Sequence, residues 1–431
     1  MTGPDPASTP TGRTSGGTPG GTPGGTPGGT PGGTPGGTDG ARAVPAPFEL
    51  PPYPYDRLVG VRDRAVERFG SGPGDHGTTG SGGVVDCSIG TPWDPPDKEI
   101  VAALASSGTE RGYPASIGSP AYRTAAAGWL QRRFGVTVDP RTELAACVGT
   151  KEFVASTAQY LRLRRPDRDT VLYPAVSYPT YAMGATLAGC RAVPVAELPG
   201  GGPDLASVSD DDVGRALLAW VNSPANPSGL LTDLDGAARW GRARGVPVFS
   251  DECYAEFTWD GPPATVLATG TEGVVAVHSL SKRSNLAGVR AGFYAGDPEL
   301  VGFLSEIRKH AGLMVPGPVQ AAGAVAFGDD RPVDEQRHRY RDRLELLAGI
   351  LASAGLPVAL PPGGFYLWVP CRGAGDAWEL TDALAVAGGL LVSPGDLYGE
   401  AGAGHLRVAV VQPSDRLRLV GERLAGTVLG A

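Results

Sequence analysis

Lys282 is the residue of this chain with the clearest capacity for covalent chemistry. It lies in the segment 278–290 (HSLSKRSNLAGVR), and it is one of only four lysines, with Lys98, Lys151 and Lys309, among 37 basic residues. A lysine amine can lose its proton at moderate cost and attack a carbonyl carbon to form a Schiff base, whereas arginine cannot. A lysine retained in such an arginine-rich chain, among polar neighbours, is therefore a candidate nucleophile.

Polar residues follow three short apolar segments that we predict to be strands. These polar segments are 222–229 (NSPANPSG), 251–254 (DECY) and 279–282 (SLSK). Because ligands gather beyond the carboxyl ends of the strands in an open parallel sheet, the three segments are predicted to face one site. A small-residue turn at 148–152 (VGTKE) precedes a predicted helix and can present backbone N–H groups to an anion.

Together these segments offer an amine, a carboxylate, an amide, a phenol, hydroxyls and an arginine, which is the set that a pyridoxal 5′-phosphate (PLP) site requires. Lys282 would bind the aldehyde covalently, and Asp251 would pair with the pyridinium nitrogen. Asn226 and Tyr254 would hydrogen-bond the phenolate oxygen. The phosphate would be held by charge-assisted bonds from a larger set, namely Ser279, Ser281, Arg290, Gly149, Thr150 and Lys151.

Each of these residues also has an ordinary structural explanation. Asp251 can cap a helix, residues 226–229 form a good turn, and Arg290 can be a charge at a strand edge. Their occurrence in this order at predicted strand ends favours the cofactor site over the separate explanations.

Residues 97–315 contain the elements that must position this site. Apolar segments rich in Val, Leu and Ala alternate there with helical segments, which is typical of a mainly parallel sheet buried on both faces. From residue 316 onward, helices alternate with strands such as 365–369 and 405–410, which indicates a smaller α+β lobe. We therefore predict four parts: a disordered tail at 1–47, an arm and part of the small domain at 48–96, a large PLP-binding domain at 97–315, and a C-terminal small domain at 316–431.

Composition restricts the other function classes. The Gly-Gly-Thr-Pro repeat that starts at Gly16 offers no side chain to bury, so the tail cannot offset its ordering entropy; an interaction tail is the alternative. The net charge of −8, without a basic run, disfavours nucleic acid as a partner. Five scattered cysteines and the lack of a membrane-spanning apolar run lead us to expect no disulfide framework, no metal site, no membrane partner and a cytoplasmic location.

From about residue 50 to the C-terminus the chain resembles the fold-type I, class I/II PLP-dependent aminotransferases. The shared motifs are 89–92 (IGTP), 112–114 (GYP) with Gly118 and Arg123, 226–229 (NPSG), 251–254 (DECY), 279–282 (SLSK), 288–292 (GVRAG), 364–366 (GFY) and 406–408 (LRV). The resemblance implies an α/β fold with a mainly parallel, seven-stranded large domain and a smaller α+β domain. It also implies a homodimer with active sites at the interface.

The same resemblance implies roles for four further residues. Tyr113 would reach the phosphate of the cofactor bound to the partner subunit. Tyr178 would stack on the pyridine ring, although it stands four residues after Pro174 where the family usually has two. Arg407 resembles the family's clamp for the substrate α-carboxylate, because its planar fork suits bidentate binding. Gly90 would let that carboxylate approach the backbone.

Residues 281–288 (SKRSNLAG) and 307–310 (IRKH) closely resemble N-succinyldiaminopimelate aminotransferases of high-GC actinobacteria. This resemblance implies ping-pong transamination between N-succinyl-LL-2,6-diaminopimelate and 2-oxoglutarate/glutamate, in lysine biosynthesis. The distal groups of that substrate need cationic partners, for which the candidates are Arg283, Arg308 and Lys309. The alternative, which their residue types favour, is that all three are ordinary surface or helix charges. Three alternatives share the cofactor residues: an aminotransferase for aspartate, alanine or an aromatic donor, a PLP β-lyase, and a non-catalytic PLP-binding sensor.

Overall fold

The computed structural model of the protein describes residues 48–72, 82–371 and 376–429. The predicted disordered tail at 1–47 lies outside the described residues, and so does most of the Gly/Ser-rich segment between residues 70 and 83. Within the described ranges, no helix combines the length and the apolar character needed to cross a bilayer.

Thirteen α-helices and twelve strands form the described part of the chain. The helices are α1 (Val59–Phe69), α2 (Lys98–Ala105), α3 (Pro120–Phe134), α4 (Thr150–Arg164), α5 (Thr180–Leu187), α6 (Asp210–Arg215), α7 (Leu234–Arg244), α8 (Leu280–Arg283), α9 (Pro298–His310), α10 (Gly317–Gly328), α11 (Arg331–Ser353), α12 (Ala377–Gly388) and α13 (Ser414–Arg423). The strands are β1 (Val85–Asp86), β2 (Leu144–Cys147), β3 (Thr170–Pro174), β4 (Arg191–Val195), β5 (Ala216–Asn222), β6 (Val248–Asp251), β7 (Val274–Ser279), β8 (Gly292–Gly296), β9 (Tyr366–Pro370), β10 (Leu390–Leu391), β11 (Ser393–Pro394) and β12 (His405–Ala409).

The central sheet has seven strands in the order β2-β8-β7-β6-β5-β3-β4, and only β8 runs against the others. Strands β2, β3 and β5 to β8 are buried along almost their whole length, because helices cover both faces of the sheet, whereas only Val195 is buried in the edge strand β4. The predicted mainly parallel α/β fold is confirmed. Strand β2 was not predicted, because the four-residue segment LAAC reads equally well as helix or strand.

A second, smaller sheet of order β11-β12-β9 is antiparallel. Residues of β9 and β12 pack with α11, α12 and α13 in a separate hydrophobic cluster, in which Leu344, Leu367, Leu384, Val408 and Leu417 are buried. The strands β1 and β10 form a separate parallel pair. Since β1 precedes the strands of the central sheet in the sequence and β10 follows them, residues from both ends of the chain meet here. This arrangement agrees with the α+β lobe that the sequence predicts.

Helix α10 packs against α2 and α3, and its buried Ala322, Ala326 and Phe327 belong to the cluster that covers the central sheet. The predicted domain boundary at residue 315 places this helix in the small domain. We propose that the boundary between the two predicted domains falls after α10. The other predicted boundaries stay predictions.

A buried charge network fixes the short helix α8, which carries Lys282. Glu256 accepts hydrogen bonds from the indole of Trp129 (2.6 Å) and the guanidinium of Arg133 (2.9 Å), and it lies 3.5 Å from Arg283. Arg283 also donates to a backbone carbonyl of α10 (2.6 Å). Removing one partner of such a buried network leaves an uncompensated charge, so the network holds α8 firmly against α3 and α10.

Candidate active site

A cavity of about 390 Å³ opens beyond the carboxyl ends of β5, β6 and β7, where a parallel sheet offers its ligand site. Of the residues predicted to bind the cofactor or the substrate α-carboxylate, all except Gly149 and Tyr113 line it: Lys282, Asp251, Asn226, Tyr254, Tyr178, Ser279, Ser281, Arg290, Thr150, Lys151, Arg407 and Gly90. The structure therefore brings together residues that are separated by more than 300 positions in the sequence.

Lys282 projects its amine into this cavity from α8, directly after β7. Its Nζ donates a hydrogen bond to the carbonyl oxygen of Gly90. Burial of the amine, reinforced by the positive charges of Arg407 and Arg290, lowers the pKa of Lys282 to about 8. A sizeable fraction of the amine is therefore unprotonated near neutral pH, as a nucleophile or proton acceptor requires.

Asp251 ends strand β6 and points its carboxylate into the cavity. One oxygen accepts a hydrogen bond from the hydroxyl of Tyr181 (2.9 Å), and the other accepts from the backbone N–H of Cys253 (3.1 Å). The amide of Asn222 donates to the Asp251 carbonyl (2.7 Å), which ties the ends of β5 and β6 together. Burial raises the pKa of Asp251 in the absence of a cationic partner.

Arg407 is almost fully buried on β12 and faces the same cavity. Its guanidinium donates to the side-chain oxygen of Asn226 (2.8 Å) and to the carbonyl of Ser88 (2.6 Å). The rings of Tyr366 and Tyr398 lie 4.3 and 4.6 Å from its central carbon, at cation–π distance. The charge is thus desolvated but held in place, as a carboxylate clamp would need.

Sequence reasoning missed three tyrosines that support the site: Tyr181, Tyr366 and Tyr398. Tyr181 stands one helical turn after Tyr178, so its spacing from a predicted site residue was a signal that could have found it. Tyr366 belongs to the shared GFY motif but was not given a role. The hydroxyl of Tyr398 bonds that of Tyr55 (2.9 Å), and no local pattern connects these two positions.

The turn before α4 forms a cradle with an arginine. Gly149 has a φ of 75° and caps α4 without a side-chain hydrogen bond, which leaves N–H groups of the first helical turn to face an anion. The guanidinium of Arg290 lies directly against the α-carbon of Gly149, and a Cβ there would collide with it. Ser279 caps α8 by accepting from the N–H of Ser281 (3.0 Å).

These observations test whether PLP fits the cavity. A buried amine of lowered pKa suits an aldehyde, the buried Asp251 carboxylate forms no salt bridge within the described residues, and the cradle of Gly149 and Arg290 suits a phosphate. The residues fit the cofactor at each of its three ends. The roles of the individual side chains remain those proposed from the sequence.

Two exposed lining residues, Lys151 and Tyr53, mark the mouth of the cavity, and the partly buried Tyr178 lies next to them. The Lys151 ammonium donates to the hydroxyl of Tyr53 (3.2 Å) and lies 4.7 Å from the Tyr53 ring centre and 5.7 Å from that of Tyr178. In the described part of the chain, Lys151 forms no ion pair. A cation surrounded by aromatic faces therefore borders the opening.

Several expected contacts lie elsewhere. Tyr113 is 96% exposed and outside the cavity, so its role toward the cofactor of a partner subunit stays a prediction. None of Arg283, Arg308 and Lys309, the candidates for binding the distal part of the substrate, lines this cavity. Arg283 and Arg308 are buried and form ion pairs with Glu256 and Glu152, respectively. Lys309 forms an ion pair with Glu306 on its own helix.

Comparison with known proteins agrees with this geometry. The profile of the aminotransferase class I and II family matches residues 83–422. The chain is 40% identical to the 4-dedimethylamino-4-oxo-anhydrotetracycline transaminase OxyQ of Streptomyces rimosus (87% of this chain, 99% of the relative). It is 34% identical to an LL-diaminopimelate aminotransferase of Desulforudis audaxviator (80% and 90%).

Among solved structures, a probable N-succinyldiaminopimelate aminotransferase of Thermus thermophilus superposes with a TM-score of 0.76 at 29% identity, over 86% of this chain and 99% of that one. The family profile covers most of the chain and includes the strands whose ends form the cavity. The protein therefore belongs to the class I and II aminotransferases, a PLP-dependent family of fold-type I enzymes.

Proposed function

We propose that this aminotransferase exchanges an amino group between N-succinyl-LL-2,6-diaminopimelate and 2-oxoglutarate/glutamate. The observation that carries the substrate choice is the cation of Lys151 on the cavity wall, beside which the described part of the chain places no carboxylate except that of Asp251 on β6. PLP, when bound, supplies the electron sink that makes the α-proton of an amino acid acidic. The protein's part is to bind and orient the substrate and to move that proton.

Lys282 is the proposed acid–base group of the transfer. Its amine, with a pKa of about 8, can accept a proton near neutral pH and return it to another atom within reach. The carbonyl of Gly90, which accepts a hydrogen bond from Nζ, holds the amine in a fixed direction. Asp251, Asn226 and Tyr254 are proposed to fix the cofactor ring, and the Gly149 turn with Arg290 its phosphate.

Arg407 is proposed to bind the α-carboxylate that all amino donors and oxo acceptors share. Arg407→Lys keeps the charge but loses the planar fork, so we expect KM for glutamate and for 2-oxoglutarate to rise by about 100-fold with a smaller change in kcat. Steady-state kinetics with both substrates measure this split. The exposed Arg141 offers the matched Arg141→Lys control, which should leave both constants as they are. Equal loss of kcat with KM unchanged would contradict the clamp role.

The distal end of the donor distinguishes the succinylated substrate from free LL-diaminopimelate. The distal end of the free diamine carries one ammonium and one carboxylate, so it has no net charge. Succinylation turns that ammonium into a neutral amide and adds a second carboxylate, so the distal end becomes doubly negative. Among the described residues, the acidic side chain that lines the cavity is Asp251 on β6, and the exposed Lys151 lines it as well. The Lys151 cation attracts a doubly negative distal end more strongly than a zwitterionic one, which favours the succinylated donor.

Lys151→Met tests this assignment because it keeps the length of the side chain and the backbone N–H of the phosphate turn. We expect kcat/KM for N-succinyl-LL-2,6-diaminopimelate to fall by about tenfold, since one partly exposed charge pair is lost. A donor without a distal charge, such as alanine, is the internal control, and its kcat/KM should stay within about twofold. A uniform fall for both donors would mean that Lys151 serves the cofactor rather than the substrate.

The relatives favour a second group of candidates, namely LL-diaminopimelate itself or a polycyclic ketone like that in the name of the Streptomyces relative. The aromatic faces of Tyr53 and Tyr178 at the mouth suit a flat ring system. A donor panel with 2-oxoglutarate separates these activities. Pyruvate release without an acceptor would indicate a β-lyase, and PLP binding without turnover would indicate a sensor.

We also propose a homodimer in which the exposed Tyr113 meets the partner's site, and a cytoplasmic location.

A further inference from the structure

We propose that Tyr366 is a positioning residue that couples the carboxylate clamp Arg407 to Tyr254. Tyr366 begins strand β9 and is 1% exposed. Its ring contacts the guanidinium of Arg407, while its hydroxyl contacts Tyr254 on the other side. The inference rests on the proposed role of Arg407, and it concerns how two parts of the site are held in register.

The ring of Tyr366 orients the clamp. Arg407 on β12 pairs directly with Trp368 on β9, and Tyr366 lies two residues away on the same face of the sheet, so its ring can reach across diagonally. The guanidinium lies 4.3 Å from this ring and 4.6 Å from that of Tyr398. Both rings thus contact the guanidinium, and cation–π attraction is strong because the site is desolvated.

The hydroxyl of Tyr366 sets the direction of the hydrogen bond made by Tyr254. The two hydroxyl oxygens are 2.7 Å apart, and either could be the donor. A hydroxyl has only one proton to donate. If Tyr254 donates its proton to the phenolate oxygen of the cofactor, the hydrogen bond between the two tyrosines must therefore be donated by Tyr366. A donor behind Tyr254 polarises it and strengthens its outward bond. Burial raises the pKa of Tyr366 to about 12, so this donor keeps its proton at physiological pH.

A third contact connects Tyr366 with the backbone around the catalytic amine. Its hydroxyl lies so close to the α-carbon of Gly90 that a Cβ there would collide with it. The carbonyl of the same Gly90 accepts the hydrogen bond from Lys282. Tyr366 therefore touches three groups that the reaction needs in one geometry: the clamp, the phenol of Tyr254 and the backbone that orients Lys282.

Two variants separate the ring from the hydroxyl. In the PLP-loaded Tyr366→Phe protein, the pH midpoint of the visible absorbance change should rise by about half a unit, because the cofactor oxygen loses part of its stabilisation. Its Kd for 2-oxoglutarate, titrated without an amino donor, should stay within about twofold. Tyr366→Leu loses the ring as well, so that Kd should weaken by about tenfold.

Tyr340→Phe is the matched control, because Tyr340 is buried in the neighbouring core but does not line the cavity. It should leave both the absorbance midpoint and the Kd as in the wild type. A Tyr366→Phe midpoint equal to that of the wild type, or a Tyr366→Leu Kd within about twofold of it, would overturn the inference while leaving the proposed function intact. A wild-type protein that loads PLP but binds no 2-oxoglutarate would overturn the clamp role and the inference together.

Discussion

Lys282→Ala is expected to lower the rate of transamination by at least about 10⁴-fold, because the variant has neither the covalent partner of the cofactor nor the acid–base group. PLP should still bind, since the cradle of Gly149 and Arg290 and the carboxylate of Asp251 are unchanged. The absorbance of the loaded variant should be that of the free aldehyde. Single-turnover kinetics with glutamate and a visible spectrum of the dialysed protein measure the two effects.

Lys98→Ala is the matched control for this result. Lys98 begins α2, is exposed and does not line the cavity, so its removal should change neither the spectrum nor the rate. Addition of a small primary amine to Lys282→Ala should restore part of the turnover, since the cavity left by the side chain can hold it. Normal turnover by the variant without added amine would exclude Lys282 as the catalytic residue.

The sequence was sufficient to predict six of the seven strands of the central sheet and more than half of the cavity lining. Asn222, Asp251 and Ser279 end neighbouring strands β5, β6 and β7, so the rule that ligands gather at carboxyl ends places them together without knowledge of the tertiary structure. Lys282 follows the last of these strands by three residues. Each of these residues is close in sequence to a strong β pattern, which is why its position could be inferred.

The supporting contacts could not be predicted in this way. Tyr366 reaches Arg407 and Tyr254 because β9 pairs with β12 in one particular register, and nothing local to residue 366 specifies that register. An aromatic residue that begins a strand is more often part of a core. Helix α10 gave a similar difficulty, since its small apolar residues suit either lobe and only packing against α3 decides between them.

The same reasoning explains why the charged candidates for the distal substrate group lie outside the cavity. Arg283 and Arg308 follow or precede conspicuous motifs, but their side chains are buried against Glu256 and Glu152. Such carboxylate partners are far away in the sequence and are visible only in the folded chain. Lys151 reaches the cavity mouth because it occupies the first turn of α4, whose start is fixed by Gly149. Sequence motifs thus identified the helices and strands around the cavity. Which of their charged side chains can bind a substrate depends on the packing of the folded chain.

Asp251→Asn should have opposite effects on activity and on the stability of the cofactor-free protein. The variant keeps a polar partner for Tyr181 and for the N–H of Cys253 but loses the negative charge that faces the cofactor ring. Loss of such a preorganised charge is expected to lower kcat on the order of 10³-fold. Without a cationic partner, however, the wild-type carboxylate is a buried charge, and burial raises its pKa.

The sign of the stability effect follows from this raised pKa. Between the pKa of the unfolded chain and the raised pKa of the folded chain, the folded protein binds more protons, so its stability falls as the pH rises and stays lowered above the folded pKa. Asp251→Asn lacks this penalty, and its cofactor-free form should melt on the order of 1–3 °C higher at neutral pH. Asp260→Asn, at an exposed site, should change neither quantity. If the cofactor-free variant melts lower than the wild type while losing activity, Asp251 stabilises the fold itself, and the assignment of its charge to the cofactor would have to be withdrawn.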